Sequence, residues 1–103
     1  MILTGRRVAA AEGKDLGFVH EVVPVAELMT AARQLAATML ELSPMSLRAS
    51  KQVVQRGLDE PVLEAAYEAQ QRYPAVRALF RSGDSREGPQ AFAQKRKPQW
   101  KGR

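Results

Sequence analysis

From Val25 to about Leu42 the apolar residues Leu28, Ala32, Leu35, Met39 and Leu42 recur at every third or fourth position. Residues at that period line one face of an α-helix, so the segment predicts an amphipathic helix of about four to five turns. The same reading extends to both sides, with proline and glycine as punctuation. Ala9 to Leu16 predicts a short helix closed by Gly17, and Gly13 inside it costs about 1 kcal/mol relative to alanine. Phe18 to Val23 is rich in β-formers and stops at Pro24. It predicts one short extended segment, too isolated to make a sheet. Ser43-Pro44 supplies an N-cap and a first-turn proline. The helix they open carries Leu47 and Val54 on one face and ends near Gly57. Asp59 and Pro61 restart the pattern, with Val62, Ala66, Ala69 and Tyr73 on a stripe that Pro74 should kink or break. Val76, Leu79 and Phe80 continue it to Gly83. Asp84 and Glu87 have the spacing of a capping box, opening a last helix to about Lys97 that Pro98 stops. The expected fold is all-α, with about five helices.

A chain of 103 residues forms one domain at most and buries only about 60–65% of its unfolded surface. With 1 Trp, 2 Tyr and 3 Phe, and with alanine supplying much of the apolar content, its core is lean, so a partner surface is expected. The absence of cysteine excludes disulfides and thiolate chemistry. His20 is the single histidine and cannot build a histidine metal cluster. No apolar run approaches the roughly 20 residues of a membrane span, and no signal segment opens the chain, so a soluble cytoplasmic protein is the expectation. Of the formal net charge of +5, all can be assigned to Lys95, Arg96, Lys97, Lys101 and Arg103, because the preceding residues balance. The basic character is read as a property of the tail, able to attract phosphates or simply solvated.

The residues present no catalytic constellation. Phosphate-binding glycine loops, a nucleophile elbow and metal-ligand spacings are all absent. Glu60, Glu64 and Glu68 share a helical face, where a carboxylate ladder is ordinarily solvated surface. His20 has only Glu21 beside it, and in an extended segment the two side chains point to opposite faces. Ser43, Ser46 and Ser50 read as cap and helix-surface serines. Phe92 and Lys95 are the exception. Three positions apart on the last helix, they are neighbours on one face, where an aromatic ring and an ammonium group can contact an adenine and a phosphate together. The bland alternative makes Phe92 the core residue of that helix and leaves the lysine solvated.

Leu3-Thr4-Gly5-Arg6-Arg7-Val8 followed by Leu16-Gly17-Phe18-Val19-His20-Glu21-Val22-Val23-Pro24 resembles a pattern of the enoyl-CoA hydratase/isomerase, or crotonase, family. Ser43-Pro44 with Ala49-Ser50-Lys51 is similar to that family's P-x-A-x-x-x-x-K helix. Phe80, Ser82, Asp84, Glu87-Gly88, Ala91-Phe92, Lys95-Arg96, Pro98 and Trp100 resemble its C-terminal signature F-x-S-x-D-x-x-E-G-x-x-A-F-x-x-K-R-x-P-x-F. Gly13 stands where the family usually has alanine, the usual polar cap before that helix is lacking, and Pro74 and Pro89 are uncommon in it.

The resemblance implies that residues 1–103 are the family's C-terminal helical, oligomerisation segment. The N-terminal ββα spiral, with its oxyanion hole and catalytic glutamates, would then lie outside this chain. It implies an acyl-CoA thioester as the substrate of the complete enzyme, with CoA entering as part of that substrate rather than as a separate cofactor. It also implies a homo-oligomer of trimer type and a CoA contact at Phe92 and Lys95. No catalytic and no metal-binding residue is expected within the chain, which alone should be inactive. The competing reading is a non-catalytic helical assembly module retaining only subunit-packing surfaces. A nucleic-acid-binding domain ranks last, since its basic face should spread over the fold.

Overall fold

The computed structural model describes all 103 residues and contains only helices and irregular segments, with no strand. It divides into two compact units, residues 1–36 and 37–103.

In the first unit, Gly5 closes a turn at φ +65°, its N–H donating to Met1 O at 2.9 Å. Helix α1 (Ala10–Asp15) has no side-chain cap at Ala9. It ends as Gly17 turns left-handed at φ +85°. The N–H groups of Phe18 and Val19 then both donate to Gly13 O, at 3.2 and 3.1 Å, so the chain folds back over the helix. Phe18 to Val23 is irregular rather than a strand, as a segment without a pairing partner must be. A 3₁₀ turn over Val25–Glu27 leads into α2 (Leu28–Leu40), of which no residue is buried.

Gly13 reverses the expectation that alanine would be preferred there. It is buried, and a Cβ on it would lie 2.8 Å from Val19 Cγ2 and about 3 Å from the Phe18 ring. The branched valine has little freedom to yield. Overpacking of this kind costs about 1–3 kcal/mol, more than the roughly 1 kcal/mol of helix propensity gained. Gly13→Ala is therefore expected to destabilise the first unit, read as faster amide exchange at Phe18 and Val19; slower exchange there would contradict it.

The second unit is built on α3 (Pro44–Gly57) and α5 (Pro74–Arg81). Its core is Ala49, Ala69, Tyr73 and Val76, with Val53, Ala75 and Leu79 packed against it. The inward stripe of α3 is thus Met45 and Ala49, both buried, with Val53 partly buried, while Leu47 and Val54 are exposed. Both stripes have helical spacing, and only the position of the neighbouring helix chooses between them. Helix α4 (Leu63–Ala69) runs into a 3₁₀ turn at Gln70–Arg72. Tyr73 is extended, with φ −67° and ψ 133°, as a residue before proline must be. Pro74 therefore starts a new helix instead of kinking an old one, raising the count from five helices to six. The free N–H of Ala75 in the first turn of α5 is met by Gln52 Oε1 of α3 at 2.8 Å, and the Arg56 guanidinium lies 5.4 Å from the Tyr73 ring centre.

Helix α6 (Asp84–Ala93) starts without the capping box. Ser82, extended at ψ 159°, takes the cap role, its hydroxyl oxygen accepting from Ser85 N at 3.4 Å. Asp84 and Glu87 are thereby left for other partners.

Candidate functional site: the C-terminal strap and its cap

Residues 94–103 do not trail into solvent. They return along α6 as a strap held at four places. Asp84, with 3% of its surface accessible, accepts hydrogen bonds from Ser43 Oγ at 2.8 Å, Lys101 N at 2.8 Å and Gly102 N at 3.2 Å. Glu87 accepts two bonds from the Arg96 guanidinium at 2.6 and 3.0 Å, and one from Gln99 N at 2.6 Å. Trp100 Nε1 donates to Glu41 O at 2.8 Å, and Gly83 N donates to Arg103 O at 3.0 Å. The indole lies over Gly88, where a Cβ would meet Trp100 Cη2 at 3.3 Å. Most residues of the C-terminal signature therefore act mechanically. The serine caps the helix, the aspartate and glutamate tie down the strap, the glycine admits the tryptophan, and Ala91 is buried.

The carboxylate environments follow from these bonds. Burial pushes the Asp84 carboxyl up. The N–H of Lys101, the Ser43 hydroxyl and the N–H of Gly102 together more than reverse this, leaving it below its ordinary value of 3.8. The Arg96 guanidinium, followed by the Gln99 N–H, lowers Glu87 from 4.5 to about 2, and the same pair raises Arg96. A carboxylate depressed in the folded state contributes stability that is present above its unfolded value and lost as pH falls through its folded one. Between about pH 4.5 and 2 the contribution of Glu87 to holding the strap is therefore expected to be lost and the strap to loosen. Trp100, the single tryptophan, reports the event by its emission, and an unchanged emission across that range would count against the assignment.

At the C-terminus of α6 the backbone forms a Schellman turn. Lys95 N donates to Phe92 O at 3.1 Å and Arg96 N to Ala91 O at 3.0 Å. Lys95 occupies the left-handed position at φ 52°, and it is the one non-glycine residue with a positive φ. A side chain there costs about 1–2 kcal/mol, which is why glycine is usual. Both sequence-predicted binding residues are at the surface: Lys95 is exposed, and Phe92 is 87% exposed. Phe92 is not the core residue of its helix; Ala91 is.

The other candidates are dispersed. His20 is exposed, beside a shallow hollow lined by Leu28, Ala32 and Leu35. Glu64 and Glu68 are exposed on α4, and Glu60 precedes that helix. Ser43 is buried against Asp84. No group of three His, Asp or Glu is placed to hold a metal ion. The tail is less basic than its composition suggests, because Arg96 is paired with Glu87. Positive charge also gathers elsewhere: Arg72, Arg77 and Arg81 line one open groove beside α5 with no carboxylate among its walls. An even charge balance along residues 1–94 concealed this. The four- and five-residue spacing of those arginines was the signal available.

All 103 residues match the family model for enoyl-CoA hydratase/isomerase. The carnitinyl-CoA dehydratase of Salmonella typhi is 40% identical over 107 residues, covering 100% of this chain and 40% of that protein. An enoyl-CoA hydratase/isomerase from Mycobacterium paratuberculosis superposes with a TM-score of 0.86 at 28% identity, covering 97% of this chain and 38% of that one. An enoyl-CoA hydratase from Bacillus anthracis gives 0.84 at 33% identity, covering 99% and 38%. The chain spans about 40% of the length of the curated relatives it matches. With the whole sequence matched by the family model, and the backbone following solved members almost end to end, the chain belongs to the enoyl-CoA hydratase/isomerase family.

Proposed function

We propose that this chain is the C-terminal helical part of an enzyme acting on acyl-CoA thioesters. The thioester chemistry is carried out by the remainder of a full-length protein, and the end of α6 binds the adenine-nucleotide end of CoA. The observation that carries the reading is Lys95. A lysine takes a left-handed cap position, where glycine is the unstrained choice, three residues after an exposed phenylalanine. Local rules are most often broken where a site requires it. The carboxylates of Asp84 and Glu87, by contrast, have their oxygens engaged by Ser43, Arg96 and the strap backbone, which suits anchoring better than proton transfer.

The chain also carries surface for a larger assembly. Leu28, Met29 and Leu40 on α2, and Leu63 and Tyr67 on α4, are each more than half exposed. We assign these faces to contacts with the rest of the polypeptide and with neighbouring copies in a homo-oligomer.

The test compares two substrates in the full-length enzyme: an acyl-CoA, and the matching pantetheine thioester, which has no adenine nucleotide. Lys95→Ala should weaken use of the first and leave the second unchanged. Equal impairment of both would make Lys95 structural and overturn the reading.

A further inference from the structure

The left-handed cap at Lys95 is bracketed by one side chain. Arg96 Nε donates to Gln94 Oε1 at 2.7 Å, and its Nη1 donates to Lys97 O at 3.1 Å. The guanidinium thus spans the turn, from the side chain of Gln94 just before Lys95 to the carbonyl of Lys97 two residues beyond it. The same guanidinium is anchored to the body of α6 by the two bonds to Glu87 at 2.6 and 3.0 Å. Glu87 in turn holds Gln99 N at 2.6 Å, so the strap leaves the cap in a fixed direction. A backbone conformation that a lysine disfavours persists when its surroundings over-determine it, and here the surroundings are a fork-to-fork ion pair, the most directional charged contact proteins use.

We infer that the Glu87–Arg96 pair is a positioning device for Lys95: it holds the cap in the one geometry that presents the ammonium group to the CoA phosphates. This rests on the nucleotide-binding reading of Lys95 given above. Neither Glu87 nor Arg96 need touch the ligand. Arg96 is committed to carboxylate and backbone, and Glu87 carries the wrong charge for a phosphate. Without the pair, Lys95 samples right-handed conformations, and the bound orientation must be selected from several, which weakens binding in proportion to the lost population.

The experiment uses the full-length enzyme with Glu87→Gln, Arg96→Met and Lys95→Ala, singly and combined, on acyl-CoA and on the pantetheine thioester. Glu87→Gln keeps an acceptor for Gln99 N and is the gentler change should Arg96→Met fold poorly. Each of the two is expected to raise KM for acyl-CoA at least about three-fold, the scale of coupling within one hydrogen-bond network. Turnover and the pantetheine substrate should be unaffected. Combined with Lys95→Ala, Glu87→Gln should raise KM no further than Lys95→Ala alone. Additive effects, or equal losses on both substrates, would overturn the inference by making the pair a general structural element. If Lys95→Ala raises KM for acyl-CoA and Glu87→Gln does not, the positioning role fails while the binding role stands. If Lys95→Ala itself has no effect, the nucleotide-binding reading falls first.

Discussion

Lys95→Ala is expected to raise the Michaelis constant of the full-length enzyme for acyl-CoA about ten-fold while sparing turnover, the pattern left by losing an interaction made equally in ground and transition states. A charge-assisted bond from an ammonium to a phosphate contributes roughly 1.5–3 kcal/mol when partly shielded from water. Lys95 is exposed in this chain, so the lower end of that range applies, and about 1.4 kcal/mol corresponds to a factor of ten. Lys95→Gly sharpens the test. It removes the same charge, but glycine fits φ 52° without strain. The two variants should lose affinity alike and differ in stability, with the glycine variant melting higher. If the glycine variant kept its affinity, the ammonium group would have no part in binding.

Asp84→Ala is expected to release the strap and to lower the melting temperature by roughly 10 °C, the largest stability effect of any single substitution considered for this chain. The carboxylate is the shared acceptor of Ser43 Oγ, Lys101 N and Gly102 N. Its loss leaves three donors in a poorly solvated crevice, and an unmade bond there costs more than a made one contributes. Ser43→Ala separates the two elements that meet at this point. It removes one of those bonds together with the cap of α3, whose oxygen accepts from Ser46 N at 3.3 Å, and should cost about 1–2 kcal/mol. Trp100 emission distinguishes the two variants: it shifts when the strap leaves Gly88 in Asp84→Ala and stays native-like in Ser43→Ala. Native emission and melting in Asp84→Ala would show that the strap is held without it.

The helical character of the chain was legible in its residues. The three-and-four spacing on α2, the Ser43-Pro44 start of α3 and the Gly83 boundary before α6 are local signals: helix propensity, capping and backbone restriction act within a few residues of one another. Pro74 was legible as an interruption, though not as a helix start. Which it becomes depends on whether something satisfies the freed first-turn N–H, and Gln52 does so from 23 positions away.

The site divides along the same line. Sequence spacing put Phe92 and Lys95 on one face of a helix reaching Lys97, but the helix ends at Ala93 and Lys95 lies beyond it in the left-handed turn. The order of the signature residues pointed to the family that the whole-chain match then established. The tertiary structure decided the rest. Asp84 and Glu87 have the spacing of a capping box, yet Ser82 takes the cap, and the two acids bind partners 9 to 41 positions distant. A carboxylate accepts whichever donor the fold delivers to it, and a local pattern carries no record of distant donors. The five cations of the tail read as a solvated run for the same reason, since only the returning strap brings Arg96 onto Glu87. The left-handed turn at Lys95 lay furthest from view. Glycine normally announces that conformation, and here a lysine adopts it within a turn closed by the bonds of Lys95 N to Phe92 O and Arg96 N to Ala91 O.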